Sequence, residues 1–116
     1  MRDDRERILD MLEAIENLER HAGKGREAFD RDELIQTWVV HHLEIIGEAA
    51  SRLGAGFRVE HPEVPWSQIV AMRNVIAQEY FGIDLDEVWQ VVERDLPELK
   101  RKLNAIYSEL TLSRKE

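Results

Sequence analysis

Apolar residues recur at steps of three and four along most of the chain, a spacing that places them on one face of an α-helix. Asp3 or Asp4 can cap the first such stripe, which ends before the glycine-rich connection 21–25. Its members are Ile8, Met11, Leu12, Ile15 and Leu18. The pattern predicts an amphipathic first helix with one buried face.

A second helix is predicted to begin near Asp30 or Asp32 and to end at about Leu53, before Gly54 and Gly56. Its apolar residues cover more of the circumference than one stripe needs; they are Leu34, Ile35, Trp38, Val39, Leu43, Ile45, Ile46, Ala49 and Ala50. A helix that is apolar around most of its circumference is expected to lie in the centre of the fold. Either the other helices surround it, or one of its faces packs against a second copy of the chain.

The segment 55–64 is predicted to be the longest loop, because Pro62 and Pro65 keep it from continuing as a helix. A third helix begins at Pro65-Trp66 and ends at Gly82, which can adopt a left-handed cap. Its inward face is formed by Ile69, Met72 and Ile76.

The last third of the chain carries the most regular apolar seam, which Asp84 or Asp86 can cap. Its members are Leu85, Val88, Trp89, Val92, Leu96, Leu99, Leu103, Ile106 and Leu110. Because Pro97 interrupts it, we predict a kinked or broken helix there, with a frayed tail at 110–116. A coiled-coil strand also fits this seam, but the core of a helical bundle is favoured.

These patterns predict an all-α fold, a single-domain antiparallel bundle of four to five helices over residues 1–116. The net charge of -8, from 24 acidic and 16 basic residues, argues against a general nucleic-acid coat, because phosphate affinity comes mainly from clustered Lys and Arg. Any RNA contact must therefore be local. Without cysteines or an amino-terminal apolar run, we expect a cytoplasmic protein with no membrane span.

Arg73 is a lone cation on the apolar face of the third helix, and Tyr80 lies nearly above it on the same stripe. Gln78, five residues past Arg73, would lie ~140° away around a straight helix. The two can share a site only if the helix opens near Ala77, if the arginine reaches round, or if two chains compose the site. A simpler interpretation pairs Arg73 with a carboxylate and leaves Gln78 in water.

The four histidines do not predict a metal site. His41 and His42 are neighbours about 100° apart on a helix, whereas helical ligand pairs usually lie four residues apart. His21 and His61 complete no ligand-spaced cluster, and there is no cysteine. We expect neither a metal nor another cofactor.

The run MRNVIAQEYFGID at 72–84 closely resembles the signature of HepT-like proteins, small members of the HEPN (higher eukaryotes and prokaryotes nucleotide-binding) superfamily. In that family the pattern is Arg, four residues, His, one residue, Tyr. LEIIGEAA at 43–50 and DLPELK at 95–100 also resemble family sequence. The resemblance covers most of the chain from residue 8 to residue 106.

This resemblance implies a bundle that forms a dimer, with the two Arg-His motifs in a cleft at the interface. It implies the toxin of a toxin–antitoxin pair, a metal-independent endoribonuclease that cleaves RNA. The implied antitoxin is a minimal nucleotidyltransferase, which in related pairs transfers AMP from ATP to the motif tyrosine, here Tyr80. The catalytic positions are Arg73 and Gln78.

Metal-free RNA cleavage needs a base for the 2′-hydroxyl, an acid for the 5′-oxygen and a fixed cation for the phosphorane. Arg73 suits the cationic role because a guanidinium stays ionised and forks onto phosphate oxygens. Gln78 stands where the family has histidine, and a carboxamide transfers no proton near neutral pH. We therefore predict a weak or inactive ribonuclease, either disabled by substitution or naturally changed to a binder. The spacing of His41, His42 and His61 does not point them at the motif.

Asn74 can bridge the motif or contact RNA, or it can be an ordinary polar surface residue. Glu48, on the second helix, can orient Arg73 through a charge-assisted hydrogen bond. Two other functions stay open. One is a non-catalytic helical interaction module, which binds the nucleotidyltransferase or, through its acidic surface, a basic protein. The other is a substrate- or nucleotide-binding adaptor for that transferase.

Overall fold

The computed structural model describes residues 3–78 and 84–115, and every regular element in these ranges is helical. The order is α1 Asp4–Ala22, α2 Arg26–Arg31, α3 Glu33–Ser51, α4 Ala55–Glu60, α5 Trp66–Gln78, α6 Leu85–Gln90, a π-helical turn Val91–Asp95, and α7 Leu96–Lys115. The predicted all-α fold is confirmed. No helix within the described ranges is long and apolar enough to cross a membrane.

The long helices run antiparallel. Trp38 Nε1, near the start of α3, donates to the carbonyl oxygen of Asn17, near the end of α1, at 2.7 Å. Lys100, near the start of α7, bonds Glu19, also near the end of α1, at 3.1 Å. Helices α3 and α7 therefore both begin beside the end of α1 and run antiparallel to it. Helix α1 lies between them.

The first two long helices form as their sequence predicts. The Asp3 carboxylate accepts from the Glu6 N–H, and the Asp32 carboxylate accepts from the Leu34 N–H, both at 2.9 Å. The central position of α3 is confirmed, because α1, α2 and α5 all pack against it. The largest fully buried side chains are Phe29, Ile8, Met11, Ile15, Leu18, Leu43, Ile46, Leu103, Ile106 and Val39.

The segment 55–64 is not the loop that its prolines predict, because α4 occupies its first part. Phe57 gives this short helix a packing partner, with its ring 4.6 Å from His61 and 6.3 Å from Trp66. Only the end of the segment is non-helical, as expected. His61 leaves helical geometry because the residue before a proline disfavours the α-helical conformation. The short α2 was also not predicted.

The last segment breaks as predicted, just before Pro97. Residues Val91–Asp95 form a π-helical turn, in which the Leu96 N–H donates to the Val91 carbonyl five residues earlier. Pro97 has no N–H for the Glu93 carbonyl, and its ring would crowd that group in an α-helix. The wider turn relieves this conflict. The backbone of 110–115, where a frayed tail is predicted, continues α7.

Candidate functional site

Arg73 lies directly over the backbone of α3, at Gly47. A Cβ added to Gly47 would lie 2.2 Å from Arg73 Cβ and 2.8 Å from Arg73 Cγ. Contacts between side-chain carbons are never that short, so glycine is required for α5 to approach α3 this closely. The aliphatic part of the Arg73 side chain therefore packs directly on the backbone of α3.

Glu48, the residue after Gly47, holds Arg73 by its charged end. Arg73 Nη2 lies 2.7 Å from Glu48 Oε2, and Arg52 Nε donates to Glu48 Oε1 at 2.6 Å. Arg73 Nη1 also donates to Asn74 Oδ1 at 3.1 Å. The predicted orientation of Arg73 by Glu48 is confirmed, and this bond equally satisfies the simpler interpretation that Arg73 pairs with a carboxylate.

Two guanidinium groups bond this one carboxylate, and the charge of a third, Arg7, acts on it without a hydrogen bond. The hydrogen bond from Arg52 is the main cause that lowers the pKa of the Glu48 carboxyl. Burial raises that pKa, but the positive charges of Arg73 and Arg7 lower it further. Positive side chains are thus gathered around Glu48 in a chain whose net charge is -8.

Glu48→Gln should make the chain less stable at neutral pH, and the loss should vanish in acid. Because the pKa of Glu48 is lower in the folded chain, its ionised form stabilises the fold above the ordinary carboxyl pKa of about 4.3. That contribution is lost as the pH falls through the folded pKa. Urea midpoints measured from pH 7 downward test this, with Glu44→Gln on the same helix as the control. A difference that does not change with pH would contradict it.

A groove of about 480 Å³ runs between α1 and α3 and reaches Arg73. Its lining residues are Arg7, Asp10, Glu13, Ala14, Asn17, His41, His42, Glu44, Ile45, Glu48, Ala49 and Arg73. His41 and His42 thus share a cavity with Arg73, which their spacing did not indicate. His61 lies elsewhere, with its Nδ1 3.6 Å from the Glu63 carboxylate.

The other predicted site residues are placed only in part. Asn74 is exposed beside Arg73, and Gln78 is the last residue of α5. The Gln78 side chain and Tyr80 lie outside the described residues, so their geometry relative to Arg73 stays a prediction. Within 3–78 and 84–115, no group of three or more His, Cys, Asp or Glu is placed to hold a metal ion.

Gly47, Arg52 and Arg7 belong to the site but are not among the predicted site residues. Arg52 had a detectable signal, because it follows Glu48 by four residues and therefore lies on the same helical face. Arg7 comes from a different helix, and no spacing rule connects it to α3.

A family model described as Ribonuclease HepT-like matches residues 11–106. The chain belongs to the HepT-like ribonuclease family. Its resemblance at 72–84 is therefore confirmed at the level of the family, and the all-helical bundle is consistent with HEPN-like proteins.

The names of individual relatives agree with this family assignment. The HepT-like chain is 38% identical over 98 residues to the "Probable ribonuclease HepT" of Thermococcus cleftensis, covering 84% of this chain and 89% of that protein. It is 37% identical over 101 residues to a candidate RNase of Caldanaerobacter subterraneus subsp. tengcongensis, covering 87% of this chain and 88% of the relative.

A third relative is longer. The HepT-like chain is 37% identical over 101 residues to a Methanocaldococcus jannaschii protein named gamma-glutamylcyclotransferase and candidate RNase, and the match covers 86% of this chain. The chain spans about half of that relative, 46% of its length. No solved structure matches the chain significantly.

Proposed function

We propose that this chain is built as a metal-independent endoribonuclease, the toxin of a toxin–antitoxin pair, in which Arg73 stabilises the charge on the cleaved phosphate. The observation that carries the proposal is the arginine cluster. Glu48 fixes Arg73 over Gly47, and Arg52 and Arg7 add positive charge beside it. A fixed, ionised guanidinium is what phosphoryl chemistry without a metal needs.

Gln78 stands at the position of the catalytic histidine and leaves the proposed site without its proton-transfer group. The chain as written therefore binds RNA and cleaves it weakly or not at all. Placing histidine at 78 is the direct test of the activity.

The proposed catalytic site is composed from two chains. Position 78 lies ~140° around the helix from Arg73, so a straight α5 directs the two side chains to different sides. A second chain can bring its own residue 78 to Arg73. The helix also offers an apolar surface for that contact, since Ala71 is exposed and Val75 is 56% exposed.

Val75→Glu should convert a dimer into a monomer and weaken RNA binding, because it places a charge in the proposed interface. Sedimentation at micromolar concentration measures the first effect. Leu34→Glu is the matched control: Leu34 is 80% exposed on α3, and its change should leave the dimer intact. A wild-type chain that sediments only as a monomer would refute the two-chain site.

Tyr80 is the proposed acceptor of AMP from a nucleotidyltransferase antitoxin. Incubation with the cognate transferase and ATP should add the mass of one AMP, and Tyr80→Phe should stay unmodified. The chain has two tyrosines, so Tyr107→Phe is the matched control and should still be modified. Peptide mass spectrometry locates the adduct, and an adduct at another residue would refute the assignment.

A non-catalytic module that binds the nucleotidyltransferase is the second candidate, and Gln78 is the observation that favours it. The two functions predict different effects of Arg73→Ala. The ribonuclease loses RNA binding through this change, whereas the interaction module keeps its partner and its RNA affinity is unchanged.

A further inference from the structure

The two ends of the α1–α3 groove differ in chemistry. Arg73 and Arg7 line one end beside Glu48, and His41 lines the other. His41 and Glu48 are seven residues apart on α3, so the ends are separated by about 10 Å along the helix axis. This length accommodates one nucleotide, from its phosphate at the arginines to its base at the histidines.

The arginine end has unused hydrogen-bond donors. Both oxygens of Glu48 are already bonded, one by Arg52 and one by Arg73. Arg7 Nε is buried and has no hydrogen-bond partner among the described residues. A buried N–H without a partner is costly, and Arg7, which is half-buried and lines the groove, could donate to a phosphate oxygen there after a small shift of its side chain.

The histidine end offers rings and an acceptor. His42 is 5% exposed, and its Nδ1 lies 2.7 Å from the Trp38 carbonyl oxygen, which can only accept. Nδ1 therefore donates, and Nε2 is the acceptor of the neutral ring. The exposed His41 ring packs edge-on against His42 at 5.2 Å, and Trp38 packs against His42 at 4.3 Å. Unpaired RNA bases stack on such rings.

Glu13 and Glu44 line the groove between α1 and α3 and bond no other described residue through their side chains. Carboxylates repel phosphate but accept hydrogen bonds from a base edge. On its Watson–Crick edge, guanine presents two adjacent donors, N1–H and the N2 amino group. These match the two oxygens of one carboxylate. The other bases present fewer adjacent donors on that edge.

We propose that this groove binds one guanosine nucleotide of single-stranded RNA, with its phosphate on Arg7 and Arg73 and its base between His41 and a groove carboxylate. The proposal rests on the proposed ribonuclease function and adds a base preference to it. Because Gln78 disables cleavage, the chain as it exists allows binding to be measured without loss of the RNA.

Fluorescence anisotropy with four labelled hexanucleotides tests the preference. One contains only uridine, and the others carry a single central G, A or C. We expect the G oligonucleotide to bind about tenfold more tightly than the others. His41→Ala should weaken it by roughly fivefold or more. Arg7→Ala should weaken all four about equally and lower the salt dependence.

The groove carboxylates decide the preference. Glu13→Gln or Glu44→Gln should reduce the G preference to less than about threefold, while the uridine oligonucleotide binds no more weakly, because a charge that repels phosphate is lost. Glu16→Gln is the matched control, because Glu16 is exposed on α1 and does not line the groove. It should leave the preference intact.

Two failures are distinguishable. If all four oligonucleotides bind equally, or if both carboxylate variants keep the full preference, the guanosine site is refuted, and binding that depends on Arg73 leaves the proposed function standing. If no oligonucleotide binds and Gln78→His cleaves none, the proposed ribonuclease function is itself refuted.

Discussion

Replacing Gln78 by histidine is expected to raise RNA cleavage by about 10²–10⁴-fold, the usual contribution of general acid–base catalysis. In the proposed two-chain site, the imidazole supplies a group that exchanges protons near neutral pH, and Arg73 supplies the cation. Single-turnover cleavage of a labelled RNA measures the gain. The restored rate should change with pH around the titration of a histidine, about pH 6.5 in an unperturbed side chain.

Two controls distinguish a gain that depends on position 78 from any effect of simply adding a histidine to the chain. Gln68→His places the same side chain at an exposed position near the start of α5 and should leave cleavage unchanged. Gln78→His combined with Arg73→Ala should lose most of the gain, because proton transfer without charge stabilisation is not enough. A Gln78→His variant with the wild-type rate would refute the disabled-base hypothesis.

Gly47→Ala is expected to destabilise the chain by roughly 1–3 kcal/mol and to abolish RNA binding through Arg73. The new methyl would lie 2.2 Å from Arg73 Cβ, so α5 must move away from α3 or Arg73 must leave its position above Glu48. Both responses disturb the arginine cluster. Urea unfolding and RNA affinity measure the two effects separately.

Gly56→Ala is the matched control, because the Cβ it would add meets no atom within 4 Å beyond its chain neighbours and the backbone of its own helix. This position is within α4, where alanine is the better helix former, so stability should stay equal or rise by up to about 1 kcal/mol. RNA affinity should not change. A folded Gly47→Ala variant with full RNA affinity would show that the packing of Arg73 on α3 is not needed for binding.

Much of the fold was predictable from local signals. Asp3 and Asp32 cap the helices they were expected to cap, and the broad apolar surface of α3 indicated its central position. The prediction failed at 55–64, where proline and glycine favoured a loop. There the packing of Phe57 on Trp66 stabilises a short helix that its local sequence does not favour.

The candidate site was predictable only in part. The run at 72–84 predicted Arg73 and Asn74. Glu48 was predicted as a carboxylate on the second helix that could orient Arg73. The contribution of Arg7 was not predictable, because it depends on how α1 packs against α3. The groove that joins Arg73 to His41 depends on the same packing.

The sequence by itself determined the helical periodicity, the caps, the break before Pro97 and the family resemblance. These are properties of neighbouring residues, which are set by local backbone chemistry and side-chain type. Only the tertiary structure decided that Arg73 packs on Gly47, that Arg73 joins Arg52 on Glu48, and that Arg7 and two histidines lie in the same groove. These depend on distances between helices, which are set by packing and not by spacing along one chain segment.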